Sequence, residues 1–532
     1  VCADTAAPST SFGAEIVLDG RGSDTRREIF PVDLADPQRL VITAGPLISV
    51  KGRVLVGDSS SLSVPARVTF TRASGIPGRP PLAVGVDAAG GAASGATAFS
   101  VMLPPSTDGS PYTVRIEPGQ DLAVAVPPVE RPLTVAQDAV IDLQLPTTAE
   151  RVTLRGSVLD SAATGVQGLE VRLLSATGDR AVSTRALTDA DGDFELIVPA
   201  LQGQFALRVS PSATRPDAPE MTVRDAYVGS ALGGPFDLGT LGLPPFSAPQ
   251  RYRFRVEGIG LTGIKGAVIG ARLTATAELS GAGASATAVH HRETQTDGSG
   301  NAELALFPGV SYRVEVTPPV GSPLTREQRT IATSAPGGLA GSFVLMPRPA
   351  VYGSVRGADG RPLDGTSIDA KAAAAAVAAA VAAAVANLPN GSVAVTAQTA
   401  LDPLDRDSTI TDRNGEFTLH LSDGSYGFDI APTDGLPYPR TRLEPVGIDS
   451  STMSPDATGR IPLGILTLPR PIVLRGRIVD ELGASAKRAT IRFYAVTCTS
   501  GTEPSSCSSA TTPLRAVSRS DNEGRFEAFI AP

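Results

Sequence analysis

The segment Thr188-Asp189-Ala190-Asp191-Gly192-Asp193-Phe194-Glu195-Leu196-Ile197-Val198-Pro199 decides the fold class. Its first half is turn chemistry. An Asp three residues before a Gly caps a tight turn through its carboxylate, and the Gly takes the left-handed backbone position. Its second half alternates apolar and polar residues with period two, which is the pattern of a half-buried strand. A Pro closes the run, because it has no N–H to continue a ladder.

The same turn recurs along the chain. Counterparts of Asp189 and Gly192 are Asp297 and Gly300, Asp412 and Gly415, and Asp521 and Gly524. In the first copy the pair is Asp87 and Gly90, followed by a Gly/Ala-rich insertion before Phe99. Ahead of each turn lies an apolar-x-Gly-x-apolar strand: Val50-Lys51-Gly52-Arg53-Val54, Leu154-Arg155-Gly156-Ser157-Val158, Tyr352-Gly353-Ser354-Val355 and Leu474-Arg475-Gly476-Arg477-Ile478. A looser copy is read at Phe254-Arg255-Val256-Glu257-Gly258. After the turn a second alternating strand completes a hairpin, as in Tyr312-Arg313-Val314-Glu315-Val316-Thr317-Pro318 and Tyr426-Gly427-Phe428-Asp429-Ile430-Ala431-Pro432. The period is near a hundred residues, about the size of one β-sandwich.

These residues are similar to the carboxypeptidase regulatory-like domain, the transthyretin-like or Cna-B-like β-sandwich found in tandem on bacterial surface proteins. The resemblance covers about Ile48 to Pro532. It implies an all-β fold: an elongated tandem array of Ig-like, transthyretin-like sandwiches. The expected organisation is an N-terminal segment with part of a β module (1–47), sandwiches at 48–149, 150–247, 248–348 and 349–470, and an incomplete fifth at 471–532. Short Pro-containing joints such as Leu345-Met346-Pro347-Arg348-Pro349 and Leu468-Pro469-Arg470-Pro471 are semi-rigid spacers. They extend the array to roughly 150–200 Å if each module spans about 35–40 Å.

Composition agrees. The chain of 532 residues holds 55 Gly and 45 Pro, a frequency that suits many turns and stays below that of disordered low-complexity chains. With 42% hydrophobic residues it can bury cores, but it has no Trp and only 5% aromatics. A net charge of −8 spread along the chain excludes a nucleic-acid footprint.

The ends and the cysteines raise separate expectations. Runs at Glu15–Leu18, Ile29–Leu34 and Leu40–Ile42 read as strands, either the end of an upstream domain or a docking segment for the first sandwich. Phe526–Pro532 reads as the first strand of a hairpin whose partner does not follow it. Two readings stand: more chain follows in the full protein, or a neighbour supplies the missing strands. Cys498 and Cys507 flank a polar segment and are read as a disulfide, which implies an oxidising compartment. Cys2 is a lipidation candidate because it resembles the acceptor Cys of bacterial lipoproteins; a spare thiol, or a disulfide to chain outside this sequence, is the other reading.

In the fourth repeat Ile368–Ala386 is Ala-rich with Val377, Val381 and Val385 four apart, which predicts a helix of about 18 residues. Asn387-Leu388-Pro389-Asn390-Gly391 would stop it. Chemical sites are sparse. Asp189, Asp191 and Asp193 are weak calcium candidates, since the late bidentate Glu of a calcium loop is missing. His290 and His291 are consecutive and point to opposite faces of a strand, a poor chelate. No zinc-ligand or nucleophile motif appears, so neither an enzyme nor a cofactor is expected. Four Lys are too few to crosslink every module through Lys–Asn isopeptides. The expected protein is a non-catalytic stalk, adhesin shaft or fibre component, secreted or on the bacterial surface. The alternatives are a glycan- or protein-binding surface lipoprotein and an appendage of a larger secreted enzyme. Expected partners are other surface proteins, copies of itself or glycans, with no nucleic acid, and a membrane only through lipid on Cys2.

Overall fold

The computed structural model describes the chain apart from residues 1–8, 19–25, 35, 58–62, 94–95, 108, 120–124, 179, 201–202, 229–234, 261–262, 282, 320–321, 334–338, 373–405, 434, 450–452, 481, 499–513 and 532. It is a tandem array of β-sandwiches.

The N-terminal strands are β1 (Ser9–Val17), β2 (Arg26–Ile29) and β3 (Leu40–Ala44). The first full set is β4 (Ile48–Val56), β5 (Ala66–Arg72), β6 (Leu82–Ala88), β7 (Phe99–Leu103), β8 (Tyr112–Pro118), β9 (Val129–Leu133) and β10 (Ala139–Leu145). The second is β11 (Arg151–Leu159), β12 (Glu170–Leu174), β13 (Ala186–Leu187), β14 (Asp193–Pro199), β15 (Gly203–Ser210), β16 (Glu220–Val228) and β17 (Phe236–Gly242). The third is β18 (Gln250–Ile259), the short β19 (Lys265–Ala267), β20 (Arg272–Leu279), β21 (Ala288–Gln295), β22 (Asn301–Leu306), β23 (Ser311–Thr317), β24 (Glu327–Ala332) and β25 (Leu339–Leu345). The fourth is β26 (Ala350–Arg356), β27 (Ser367–Ala372), β28 (Arg406–Ile410), β29 (Glu416–His420), β30 (Gly424–Ala431), β31 (Thr441–Ile448) and β32 (Ile461–Thr467). Last come β33 (Ile472–Asp480), β34 (Thr490–Cys498), β35 (Leu514–Arg519) and β36 (Arg525–Ile530).

One topology repeats. In the fourth set, β26 is flanked antiparallel by β29 and parallel by β32, while the facing sheet runs β28-β27-β30-β31. Alternate residues of both sheets, among them Val351, Val355, Ile368, Phe417, Phe428 and Ile430, meet as a dry core. The first and second sets repeat the two sheets strand for strand, and the third adds the short β19 beside β18. Between the second and third sets, Glu220 and Met221 of β16 pair with Val289 and Ala288 of β21, so two sandwiches share one eight-stranded sheet.

The last set completes itself differently. Strand β33 takes β36 as its antiparallel neighbour and β3 as its parallel one, and the facing sheet runs β2-β1-β34-β35. The N-terminal segment therefore supplies the last three strands of the C-terminal sandwich. It also docks on the first sandwich, where Glu28 of β2 accepts bonds from Ser74 and Gly75. An open array would hold its ends apart; here the two ends meet.

The Ala-rich helix is corrected. Residues 367–372 form strand β27, with Ile368 and Ala370 fully buried between the sheets and β28 and β30 on either side. Sheet pairing and burial of Ile368 override the helix propensity of alanine there. The remainder of the expected helix, with its Val stripe, lies outside the described residues.

Candidate functional site

The repeated turn is built in four copies with one set of bonds. The Asp189 carboxylate accepts the N–H of Asp191 at 3.0 Å and of Asp193 at 2.9 Å. Asp297 holds Ser299 and Asn301, Asp412 holds Asn414 and Glu416, and Asp521 holds Glu523 and Arg525, all at 2.8–2.9 Å. Gly192, Gly300, Gly415 and Gly524 take φ of +73° to +80°. At Asp297 the Asn301 and Ser299 amides hold the carboxylate's pKa below the usual range.

The residue before each Asp is buried and fastens the turn to the sandwich. Thr411 Oγ1 donates to the Leu363 carbonyl at 2.5 Å and accepts the Thr366 N–H at 2.9 Å. Thr188, Thr296 and Ser520 make the equivalent pair of bonds. The first sandwich departs from this plan. Asp87 lies within β6 and pairs with Arg67 at 2.8 Å, and Gly91 rather than Gly90 takes the left-handed position. Strand β6 runs on to Ala88, so the bend falls later, and Ser63 supplies the hydroxyl by bonding the Ala89 carbonyl and the Ala92 N–H.

The first-strand glycine has a packing reason. A Cβ on Gly156 would lie 2.8 Å from the Phe194 ring and 2.9 Å from the Gly239 carbonyl. Gly353 meets Phe417 and Gly464 O in the same way, and Gly476 meets Phe526 and Leu40 O. Each Phe is the one after its turn, laid over the glycine directly across the ladder. In the third sandwich the pair is inverted: Phe254 stands across from Ala302. The true counterpart of the glycines is therefore Phe254, not Gly258.

The weak calcium candidates do not converge. Asp189, Asp191 and Asp193 are exposed, and among the described residues no group of three or more His, Cys, Asp or Glu is placed to hold a metal. Cys498 ends β34, while Cys507 and Cys2 lie outside the described residues, so the expected disulfide and lipid site fall there too. His290 is fully buried against Phe307, with ring centroids 4.0 Å apart, and its Nδ1 meets the Tyr312 hydroxyl at 2.6 Å. Burial, with Arg292 nearby, pushes its pKa down to about 3, so it is a neutral core residue.

The polar groups that do converge sit where the two ends of the chain meet. Glu15 on β1 has a side chain only 5% exposed. Its carboxylate accepts the Tyr494 hydroxyl at 2.8 Å and faces Arg492 at 3.4 Å, both on β34. Arg26 of β2 approaches at 3.3 Å and Arg79, from the loop after β5, at 3.2 Å. The Arg79 guanidinium also lies 4.3 Å from the centre of the Tyr494 ring. Burial pushes the Tyr494 hydroxyl up to about 12, with the bond to Glu15 acting in the same direction. Beside this cluster Ile76 is fully buried against Tyr494 and Val496, over Gly13, where an added Cβ would come within 2.8 Å of it. Glu28 of β2 accepts bonds from Ser74 Oγ at 3.0 Å and Gly75 N–H at 2.8 Å. Three parts of the chain are thus locked together: β1–β2, β34 and the 74–79 loop of the first sandwich.

Sequence reading missed this cluster. The available signal was Phe12-Gly13-Ala14-Glu15-Ile16, which aligns with Tyr426-Gly427-Phe428-Asp429-Ile430 of the fourth repeat and marks β1 as the counterpart of β30.

No protein-family model matches the chain, and no curated protein is similar to it. Among solved structures it is similar to the Bacillus anthracis TIE protein, at 12% identity over 78% of this chain and 73% of that one, with a TM-score of 0.17. A streptococcal ancillary pilin matches at 11% identity over 80% of this chain and 99% of its own, with a TM-score of 0.17. The minor pilin of Streptococcus agalactiae matches at 12% over 42% and 96%, with a TM-score of 0.22. The β-sandwich assignment rests on the strand pairing described above.

Proposed function

We propose that the chain is a non-catalytic structural protein of a bacterial surface, a semi-rigid shaft or fibre component whose modules belong to the carboxypeptidase regulatory-like type. The observation that carries this reading is that neighbouring sandwiches are bonded to each other as well as tethered. Arg115 of β8 reaches the Ala181 carbonyl of the second sandwich at 2.8 Å, and Glu130 of β9 joins Arg115 at 3.0 Å to Arg180 at 3.4 Å. The second and third sandwiches share a sheet, and Arg292 of β21 also bonds the Pro216 carbonyl of the second sandwich. Such contacts suit a protein whose task is to hold a spacing. Its partners are other surface proteins or copies of itself.

Labelling of intact cells with antibody against the chain, alongside negative-stain images of the purified protein, tests this. The expected result is surface label and beaded particles with uniform module spacing. Label confined to permeabilised cells would overturn the reading.

A further inference from the structure

The sandwich shared by the two ends is a built, self-complementary interface, and we propose that its halves exchange between copies: Ser9–Ala44 of one chain seats on residues 472–530 of a second. The seam is extensive. Nine residue pairs, Ser9↔Cys498 to Val17↔Thr490, join β1 to β34, and five more, Leu40↔Gly476 to Ala44↔Asp480, join β3 to β33. Neither half has a core of its own. Ala14, Ile16, Leu40 and Ile42 from one side pack with Leu474, Ile491, Phe493 and Phe526 from the other. Separated, each half exposes an apolar face and unpaired strand edges, the surfaces that drive strand addition between chains.

The chemistry also selects the partner. Glu15, buried on the N-terminal half beside its own Arg26, completes its bonds with Arg492 and the Tyr494 hydroxyl of the C-terminal half. Ile76 needs the socket formed by Gly13, Tyr494 and Val496. Every copy of the chain carries both the plug and the socket, so the complementary occupant is a second copy. The halves are head and tail rather than two like surfaces. Exchange is therefore heterologous, and it propagates head to tail unless the chain closes on itself. Within one chain the seam joins its two ends. Between chains it adds one chain per seam, and the composite sandwich becomes the junction of a fibre. This deepens the proposed shaft or fibre role and rests on that reading for its biological use alone.

Two full-length variants test the exchange. Ile16→Asp spoils the head and leaves the tail intact; Ile491→Asp spoils the tail and leaves the head intact. These residues face each other in the seam. Each variant alone should sediment as a 54.4 kDa monomer, and an equimolar mixture should form a one-to-one dimer of twice that mass through the single intact seam. Hydrogen exchange over residues 151–467 checks that the other sandwiches remain folded. If either aspartate variant unfolds more widely, the milder pair Glu15→Arg and Tyr494→Ala, which cannot complement each other across the second junction, replaces it, with the same doubling expected on mixing. A mixture that stays monomeric, while the wild-type chain protects residues 472–530, would overturn exchange and leave the seam intrachain. That outcome would not touch the structural reading, which stands or falls on surface labelling.

Discussion

The fourth sandwich and the composite one contain the same seven strands in the same two sheets, yet one is a continuous stretch and the other is assembled from both ends of the chain. Three residues, 421–423, join β29 to β30 in the fourth, whereas the corresponding strands β36 and β1 have no such link. Instead 427 residues, 45–471, separate β3 from β33. Were those residues a flexible loop, closing it would cost about 4 kcal/mol more than closing three. At that place the fourth has a single Asp429–Arg440 pair at 3.0 Å, which the composite sandwich widens into the Glu15 cluster and supplements with the Ile76 socket. The comparison teaches that the sandwich is specified by its strand faces, and that where connectivity is missing a polar lock and an apolar knob take over its work.

The strongest way to break the comparison is to remove one half. Deleting residues 1–44 should abolish amide protection across 472–530 while residues 151–467 keep theirs, as read by hydrogen exchange with mass spectrometry. A C-terminal sandwich that stays protected would mean that the N-terminal strands are dispensable. Glu15→Ala comes next. It leaves Arg26, Arg79, Arg492 and the Tyr494 hydroxyl around an empty place, and removing one partner of a buried ionic cluster typically costs about 3–5 kcal/mol. The loss should appear in the composite sandwich and spare the fourth, measured as local opening free energies.

A glycine substitution sharpens the comparison within the shared frame. Gly353→Ala puts a Cβ 2.7 Å from the Gly464 carbonyl and 2.9 Å from the Phe417 ring; Gly476→Ala puts one 2.3 Å from the Leu40 carbonyl and 2.8 Å from Phe526. Overpacking of this kind costs about 1–3 kcal/mol. In the fourth sandwich the strain should lower stability of the whole module. In the composite it pushes directly on β3, so it should also release the N-terminal segment, seen as proteolysis between residues 9 and 47. The inverted Phe254 and Ala302 pair of the third sandwich supplies the control: Gly353→Phe combined with Phe417→Ala should recover part of the stability lost on Gly353→Ala.

Acid separates the modules by another route. His290 is held neutral with a pKa near 3, whereas the unfolded chain binds a proton below about 6.5. The unfolded state therefore takes up more protons as pH falls, and the third sandwich loses stability between about pH 6.5 and 3, by about 2 kcal/mol at pH 5. The composite sandwich contains no histidine and lacks this contribution. Denaturant melts followed by segment-resolved exchange at pH 7 and 5 should show the third sandwich weakening first, and His290→Leu should flatten that difference.

Much of this frame was legible in the sequence. Period-two alternation marked the strands because one face of each sheet is buried, and Asp-x-x-Gly marked the turns because only a few residue types satisfy that backbone. The exchange of Phe254 with Ala302 was hidden because the pair, not either residue, fills the space, and a pattern tied to glycine pointed to Gly258 instead. The Ala-rich run misled at its start, since Ile368 has a place in a sheet that alanine propensity cannot report. The head-to-tail seam was the least visible part. Phe526–Pro532 revealed that partner strands were needed, but Glu15, Ile76 and Tyr494 come together only through pairing across more than four hundred residues, which no local pattern records.

The smallest effect is the most exacting test of sameness. Thr411→Val removes the hydroxyl that donates to Leu363 O and accepts from Thr366 N–H, leaving both backbone groups buried and short of a partner. Ser520→Ala does the same to Ala486 O and Ala489 N–H in the composite sandwich. A lost buried bond of this type costs about 1–2 kcal/mol, and Thr411→Ser should restore nearly all of it. If the two sandwiches are one structure differing only in connectivity, the two deletions should cost the same within about 0.5 kcal/mol. A clearly larger loss at Ser520 would show that the turn and the seam are coupled, and that the composite sandwich holds its two halves through its own turn as well as through Glu15.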